Sequence, residues 1–130
     1  MEKLFRFIPF AILIIVLMAC SSTRTLTVDD NGKNFEVNPQ AKLYIKLDGN
    51  LTTGYQWQIL EMDNNVIELI GEPEYKTENT SLTGASGSFI FHLRGKNTGQ
   101  TTVKLGYMRP WETGVEPIEM YEVTIVVKSS

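Results

Sequence analysis

Apolar side chains recur at every second position along most of this chain. Leu43, Ile45 and Leu47 alternate with Lys42, Tyr44 and Lys46, and Tyr55, Trp57 and Ile59 with Gln56, Gln58 and Leu60. Phe89, Phe91 and Leu93 alternate with Ile90, His92 and Arg94; Val103, Leu105 and Tyr107 form another row, and Tyr121, Val123, Ile125 and Val127 the last. A strand turns successive side chains to opposite faces, so this period gives each segment one buried face, whereas a helix needs apolar residues three and four apart. No segment after residue 20 carries the helical spacing.

Turn residues punctuate the rows. Asp30-Asn31-Gly32-Lys33 predicts a hairpin joining Leu26 and Val28 to Phe35 and Val37, since Asn-Gly suits the tight turns that match strand twist. Asn38-Pro39-Gln40, Asp63-Asn64-Asn65, Gly71-Glu72-Pro73 and Asn97-Thr98-Gly99 mark further breaks, and Val66 to Ile70 is a short apolar strand between two of them. Residues 74–83 alternate little and suggest an irregular edge or a crossover. Short strands with regular turn signals predict an all-β sandwich or barrel. The 130-residue length suits one domain with a full core.

The N-terminus differs in kind. Lys3 and Arg6 precede an uncharged run from Phe7 to Ala19, about thirteen residues, which is signal-peptide length and short of the roughly twenty that a spanning helix needs. The run ends Leu17-Met18-Ala19-Cys20, and Cys20 is the only cysteine in the chain. This ending resembles the lipobox of bacterial lipoproteins, in which the cysteine is acylated and becomes the first mature residue. A plain secretory signal or an N-terminal anchor helix is the alternative. The lipobox resemblance divides the chain into a signal peptide (1–19), a lipidated cysteine with its tether (20–25) and a β domain (26–130). It implies export and a lipid anchor in a bacterial membrane, and Ser21 after the cysteine resembles outer-membrane sorting. One cysteine allows no internal disulfide, so packing alone must hold the domain. The formal net charge of −3 and the lack of a basic cluster exclude nucleic acid as an expected partner.

Three stretches between the strands stand out. Gly49-Asn50-Leu51-Thr52-Thr53-Gly54-Tyr55 is rich in turn residues. Gly84-Ala85-Ser86-Gly87 precedes the Phe89 strand with small residues that allow close backbone approach. Arg109-Pro110-Trp111-Glu112 follows the Val103–Met108 strand and carries residue types enriched at binding hot spots, with Pro110 limiting backbone freedom. Trp111 could equally fold back onto its own sheet edge with Arg109 stacked over it.

These stretches resemble, in order, the three signature loops of the chagasin-like inhibitors of papain-type cysteine peptidases. Asn50 to Tyr55 is similar to that family's Asn-Pro-Thr-Thr-Gly-Tyr/Phe motif with Leu51 in place of proline. Gly84 to Gly87 is similar to its Gly-x-Gly-Gly loop with Ser86 in place of a glycine. Tyr107 to Trp111 is similar to its third loop. The resemblance covers about Leu26 to Val127. It implies an immunoglobulin-like β-sandwich whose three loops gather at one end as a wedge. The wedge enters a protease cleft and occludes it without covalent chemistry, with no cofactor and as a monomer in its simplest form. Asn50, Leu51, Thr52, Thr53, Gly54 and Tyr55 would lie nearest the protease's catalytic pair. Gly84, Ala85, Ser86 and Gly87, and Arg109, Pro110 and Trp111, would flank them. Leu51 is expected to loosen the first loop and Ser86 to shift the second.

Enzyme chemistry finds little to use. A nucleophile–base pair would need His92, which alternates onto the solvent face of its strand. No ligand-spaced metal cluster and no distinct carboxylate pair is present. The alternative to an inhibitor is an immunoglobulin-like envelope adhesion or assembly module, binding a protein or glycan with Trp111 and Tyr55 as stacking residues.

Overall fold

The alternating rows become two facing sheets. The computed structural model describes residues 23–77 and 86–129, so the signal peptide expected over 1–19, Cys20, Gly84 and Ala85 lie outside the described residues. One sheet contains β1 (Arg24–Leu26), β3 (Lys42–Gly49), β5 (Ile67–Leu69), β6 (Glu74–Thr77) and β7 (Gly87–Gly95). The other runs in the order β2 (Asn34–Val37), β9 (Glu119–Val127), β8 (Gly99–Met108), β4 (Gln56–Glu61). β3 pairs antiparallel with β7 along its whole length, from Lys42 opposite Arg94 to Gly49 opposite Gly87. β8 and β9 do the same in the second sheet, from Gly99 opposite Val127 to Tyr107 opposite Glu119. β5 and β6 share the far edge of β7, one behind the other.

Each predicted apolar row supplies the interior. Leu43, Ile45, Leu47, Phe91 and Leu93 of the first sheet are buried against Val103, Leu105, Tyr121, Val123 and Ile125 of the second. With no disulfide available, this contact is the main stabilising term, at about 1.5–3 kcal/mol for each fully buried large apolar side chain. The alternation of β4 holds as far as Ile59, where a bulge before Glu61 breaks the register with β8. The stretch 74–83 is more regular at its start than its sequence suggests, because β6 pairs in register with residues 87–90 of β7.

The predicted Asn31–Gly32 hairpin does not form. β1 runs parallel to β3 in one sheet, while β2 runs parallel to β9 in the other. Leu26 and Val37 are both buried between the sheets, and they fill the interior from opposite sides only if the chain changes sheets between them. A single 3-10 turn at Val28–Asp30 makes the crossing, with the Thr27 N–H donating to Asp30 Oδ2 at 2.9 Å. The Asn-Gly pair then engages β9. Asn31 Oδ1 accepts the Glu122 N–H at 2.9 Å, and the Gly32 N–H donates to the Glu122 carbonyl at 2.7 Å. The polar groups that would have closed a hairpin are satisfied by a neighbouring strand.

Tyr121 fixes this crossing from below. Its ring is fully buried and its hydroxyl donates to the Thr27 carbonyl at 2.8 Å. Burial, and then the Asp30 carboxylate, push the phenol above its ordinary pKa, which favours the protonated form that donates this bond. Tyr121→Phe should therefore lower unfolding free energy by about 1 kcal/mol. Urea denaturation checks this, and an unchanged midpoint would mean that the bond contributes nothing net.

Candidate functional site

β3 and β4 end and begin at the same pole of the sandwich, as do β8 and β9, and β7 starts there. The first and third stretches singled out in the sequence are connections at this pole, and Ser86 and Gly87 of the second lead into β7 there. Among the described residues, those of the first and third are in direct contact.

The first loop is internally braced. Asn50 precedes a 3-10 turn at Leu51–Thr53, and its Oδ1 accepts the Thr52 N–H at 3.0 Å and the Thr52 hydroxyl at 2.5 Å. Thr53 Oγ1 donates to the Asn50 carbonyl at 2.7 Å. Gly54 closes the turn at φ 86°, a left-handed conformation that costs a residue with a Cβ about 1–2 kcal/mol. Asn, Thr, Thr and Gly each therefore have a local job, and Leu51, 39% exposed, is left at the tip.

Two tyrosine hydroxyls hold this loop to the sheets. Tyr107 on β8 accepts the Asn50 N–H at 2.9 Å, while its ring stacks on Tyr55 with centroids 5.4 Å apart. Tyr75 on β6 accepts the Leu51 N–H at 3.3 Å and donates to the Gly49 carbonyl at 3.4 Å. A proline at position 51 would have no N–H to give. The freedom expected from Leu51 is thus offset by a bond that only a non-proline residue can make. The sequence placed Tyr107 in a strand row and at the start of the third-loop resemblance, and gave Tyr75 no role. Tyr107 carried a signal in its nearness to the third loop, whereas Tyr75 sits in a four-residue strand too short to show a period.

The third loop folds over the first. Pro110 and Trp111 are the central residues of a turn closed by the Glu112 N–H on the Arg109 carbonyl at 3.1 Å. The Arg109 guanidinium lies 4.5 Å above the Tyr55 ring, donates from Nε to the Thr53 carbonyl at 3.3 Å and pairs with Glu112 at 3.7 Å. Arg109 therefore stacks on Tyr55 and not on Trp111. The indole is 65% exposed, yet its outer edge covers Gly54 so closely that a Cβ there would fall 2.4 Å from the ring. Both readings of Trp111 are partly realised: it rests on the neighbouring loop and keeps most of its surface in water.

Of the second loop, Ser86 is exposed and Gly87 is buried at the start of β7. A Cβ on Gly87 would lie 2.5 Å from the Lys76 carbonyl and 2.7 Å from the Tyr75 ring. Gly87 therefore makes room for the tyrosine that braces the first loop and presents no side chain of its own. Asp48, Asn50, Ser86 and Glu119 line an open depression between the first and second loops.

This pole offers apolar and aromatic surface, threonine hydroxyls and fixed backbone groups. Among the described residues no group of three His, Cys, Asp or Glu could hold a metal. His92 lies on the outer face of the first sheet, with Nε2 2.6 Å from Glu74 Oε1 and its ring edge-on to Tyr44.

Comparison with known proteins identifies relatives of this chain. The family model described as Chagasin family peptidase inhibitor I42 matches residues 36–125. Amoebiasin-2 of Entamoeba histolytica is 30% identical over 129 residues, covering 95% of this chain and 98% of the relative. Chagasin of Trypanosoma cruzi is 33% identical over 90 residues, covering 66% and 81% respectively. The crystal structure of the cysteine protease inhibitor EhICP2 from Entamoeba histolytica superposes with a TM-score of 0.73 at 30% identity, over 82% of this chain and 96% of that one. The sandwich is accordingly of the immunoglobulin-like type. Its relatives are inhibitors and not enzymes, and this chain belongs to the chagasin family of peptidase inhibitors.

Proposed function

We propose that this protein inhibits papain-like cysteine peptidases reversibly and without covalent chemistry, by inserting the loop pole of its sandwich into the active-site cleft. The observation that carries this reading is the joining of the first and third loops into one ridge. Trp111 lies on Gly54, and Arg109 bonds Thr53 and stacks on Tyr55. Loops fixed against each other before binding lose little conformational entropy on docking, which is how protease–inhibitor interfaces of ordinary area become tight. Residues Asn50 to Tyr55 form the centre of the proposed contact, Arg109, Pro110 and Trp111 one flank, and Gly84, Ala85 and Ser86 with Gly87 at its base the other. Leu51 and Trp111 supply apolar surface that a cleft can desolvate, and among the described residues no group at this pole is placed to react.

The lipobox-like ending at Cys20 supports a second part of the proposal. Residues 1–19 direct export, Cys20 is acylated, and the β domain is held at a bacterial membrane, the outer membrane being favoured by Ser21. Several acyl chains at about 0.8 kcal/mol per buried methylene would make that anchoring durable.

Titration of papain tests the inhibitory reading. Trp111→Ala should weaken inhibition by roughly 2–4 kcal/mol while leaving thermal stability nearly unchanged, because the indole is mostly in water. Loss of stability with unchanged inhibition would make Trp111 a scaffold residue. Gly54→Ala combines a forbidden φ with a Cβ inside the indole, and should weaken inhibition at least about tenfold by lifting Trp111. Combined with Trp111→Ala, its effect should be clearly less than additive, since the two changes disrupt one contact. Full additivity would show that the loops act independently.

A further inference from the structure

The sandwich has a second pole, opposite the loops, and its chemistry differs. The registers set Lys42 opposite Arg94 there, Arg24 enters beside Leu43 with its guanidinium 5.2 Å over the Phe35 ring, and Lys96 and Lys128 follow directly on the last residues of β7 and β9. The Lys128 N–H bonds the Val37 carbonyl and extends the β2–β9 pairing, while the Gln40 N–H, on the connection from β2 to β3, bonds the Gly95 carbonyl of β7. Lys42, Arg94, Lys96 and Lys128 form no ion pair with any described residue, and all but the half-buried Arg94 are exposed. Glu36, Asp63 and Glu68 are the acids nearby. The loop pole has the opposite balance, with Asp48, Glu112, Glu116 and Glu119 against Lys76 and Arg109.

Attachment follows the same axis. β1 runs parallel to β3, with Arg24 beside Leu43, so the chain enters the domain at the basic pole and runs toward the loops. Three residues separate Cys20 from Arg24, and the four steps between them span at most about 14 Å. β3 rises about 23 Å from Lys42 to Gly49. A lipid on Cys20 therefore cannot reach a bilayer lying against the loops, and only an upright or a tilted domain is open to it.

We propose that the basic pole is a membrane-facing surface. Arg24, Lys42, Arg94, Lys96 and Lys128 rest on anionic phospholipid headgroups around the acylated Cys20 and stand the domain with its loops turned away from the bilayer. This rests on the anchor proposed above. Juxtamembrane cations are drawn to anionic lipid within a Debye length, and the acidic loop pole is repelled by the same field, so both ends favour one orientation. The inhibitory surface then faces the space in which a peptidase would approach.

The test uses the full chain, processed in cells and placed either in detergent or in vesicles of phosphatidylcholine with or without phosphatidylglycerol. Trp111 is a built-in reporter at the loop pole, because the one other tryptophan, Trp57, is buried. On phosphatidylglycerol vesicles, acrylamide should quench Trp111 as well as in detergent, and a headgroup spin label should not quench it. The variant K42E/K96E/K128E should show at least about threefold more headgroup quenching on those vesicles, and no change on phosphatidylcholine alone. Its papain inhibition should fall on phosphatidylglycerol vesicles and not in detergent. Strong headgroup quenching of the unaltered chain, or a triple variant indistinguishable from it, would overturn the proposal. A chain without acyl mass that fails to sediment with vesicles would remove the anchor and this surface with it. Absence of inhibition in detergent would count against the inhibitory reading alone, because the quenching still reports the orientation.

Discussion

Tyr107 is the residue on which the loop pole depends. It is 8% exposed at the end of β8, where its ring stacks on Tyr55, tilts against Trp57 at 5.1 Å and meets the edge of Phe89 at 6.4 Å. Phe89 belongs to the opposite sheet, so one side chain joins both layers. Its hydroxyl reaches out of this apolar cluster to accept the Asn50 N–H. The same residue thus completes the core and sets where the first loop begins. A phenylalanine there would keep the packing and remove the hydroxyl that accepts the Asn50 N–H.

From that point the rigidity spreads through short links. Asn50 caps its own turn, Tyr75 takes the next amide, and Gly54 leaves the space that Trp111 occupies. Arg109 returns to Thr53 and Tyr55, which closes the circuit back to Tyr107. Each link is worth about 1 kcal/mol or less at a partly exposed site. Their value lies in acting together: a loop fixed at several points has few conformations left to lose on binding. The buried rows beneath are what make this possible without a disulfide.

Much of this was legible in the sequence, and the exceptions have physical reasons. The period-two rows located β3, β4, β7, β8 and β9 because each has one face in a common interior. The crossing between β1 and β2 was not legible as such. Asn31-Gly32 is a good hairpin signal locally, but only the need to bury Leu26 and Val37 from opposite sheets, and the hydrogen bonds of Glu122, decide against it. Tyr75 was invisible for a related reason, since β6 has four residues and takes its meaning from its partner. At the loop pole, the residue types of Asn50, Thr53 and Gly54 announced a turn. Nothing local announced that Arg109 stacks on Tyr55 or that Trp111 sits on Gly54, because these contacts join residues more than fifty positions apart.

The proposed inhibition is occlusion of a cleft by a preformed ridge that takes no part in chemistry. Alkylation of papain's active-site thiol by iodoacetamide, with and without a saturating amount of this protein, tests it most directly. The account predicts that the thiol is protected in the complex. After dissociation the papain should be fully active, with an unalkylated thiol, and the inhibitor should keep its original mass. A thiol alkylated at the rate of free papain, or an inhibitor recovered cleaved or covalently joined to the enzyme, would contradict it.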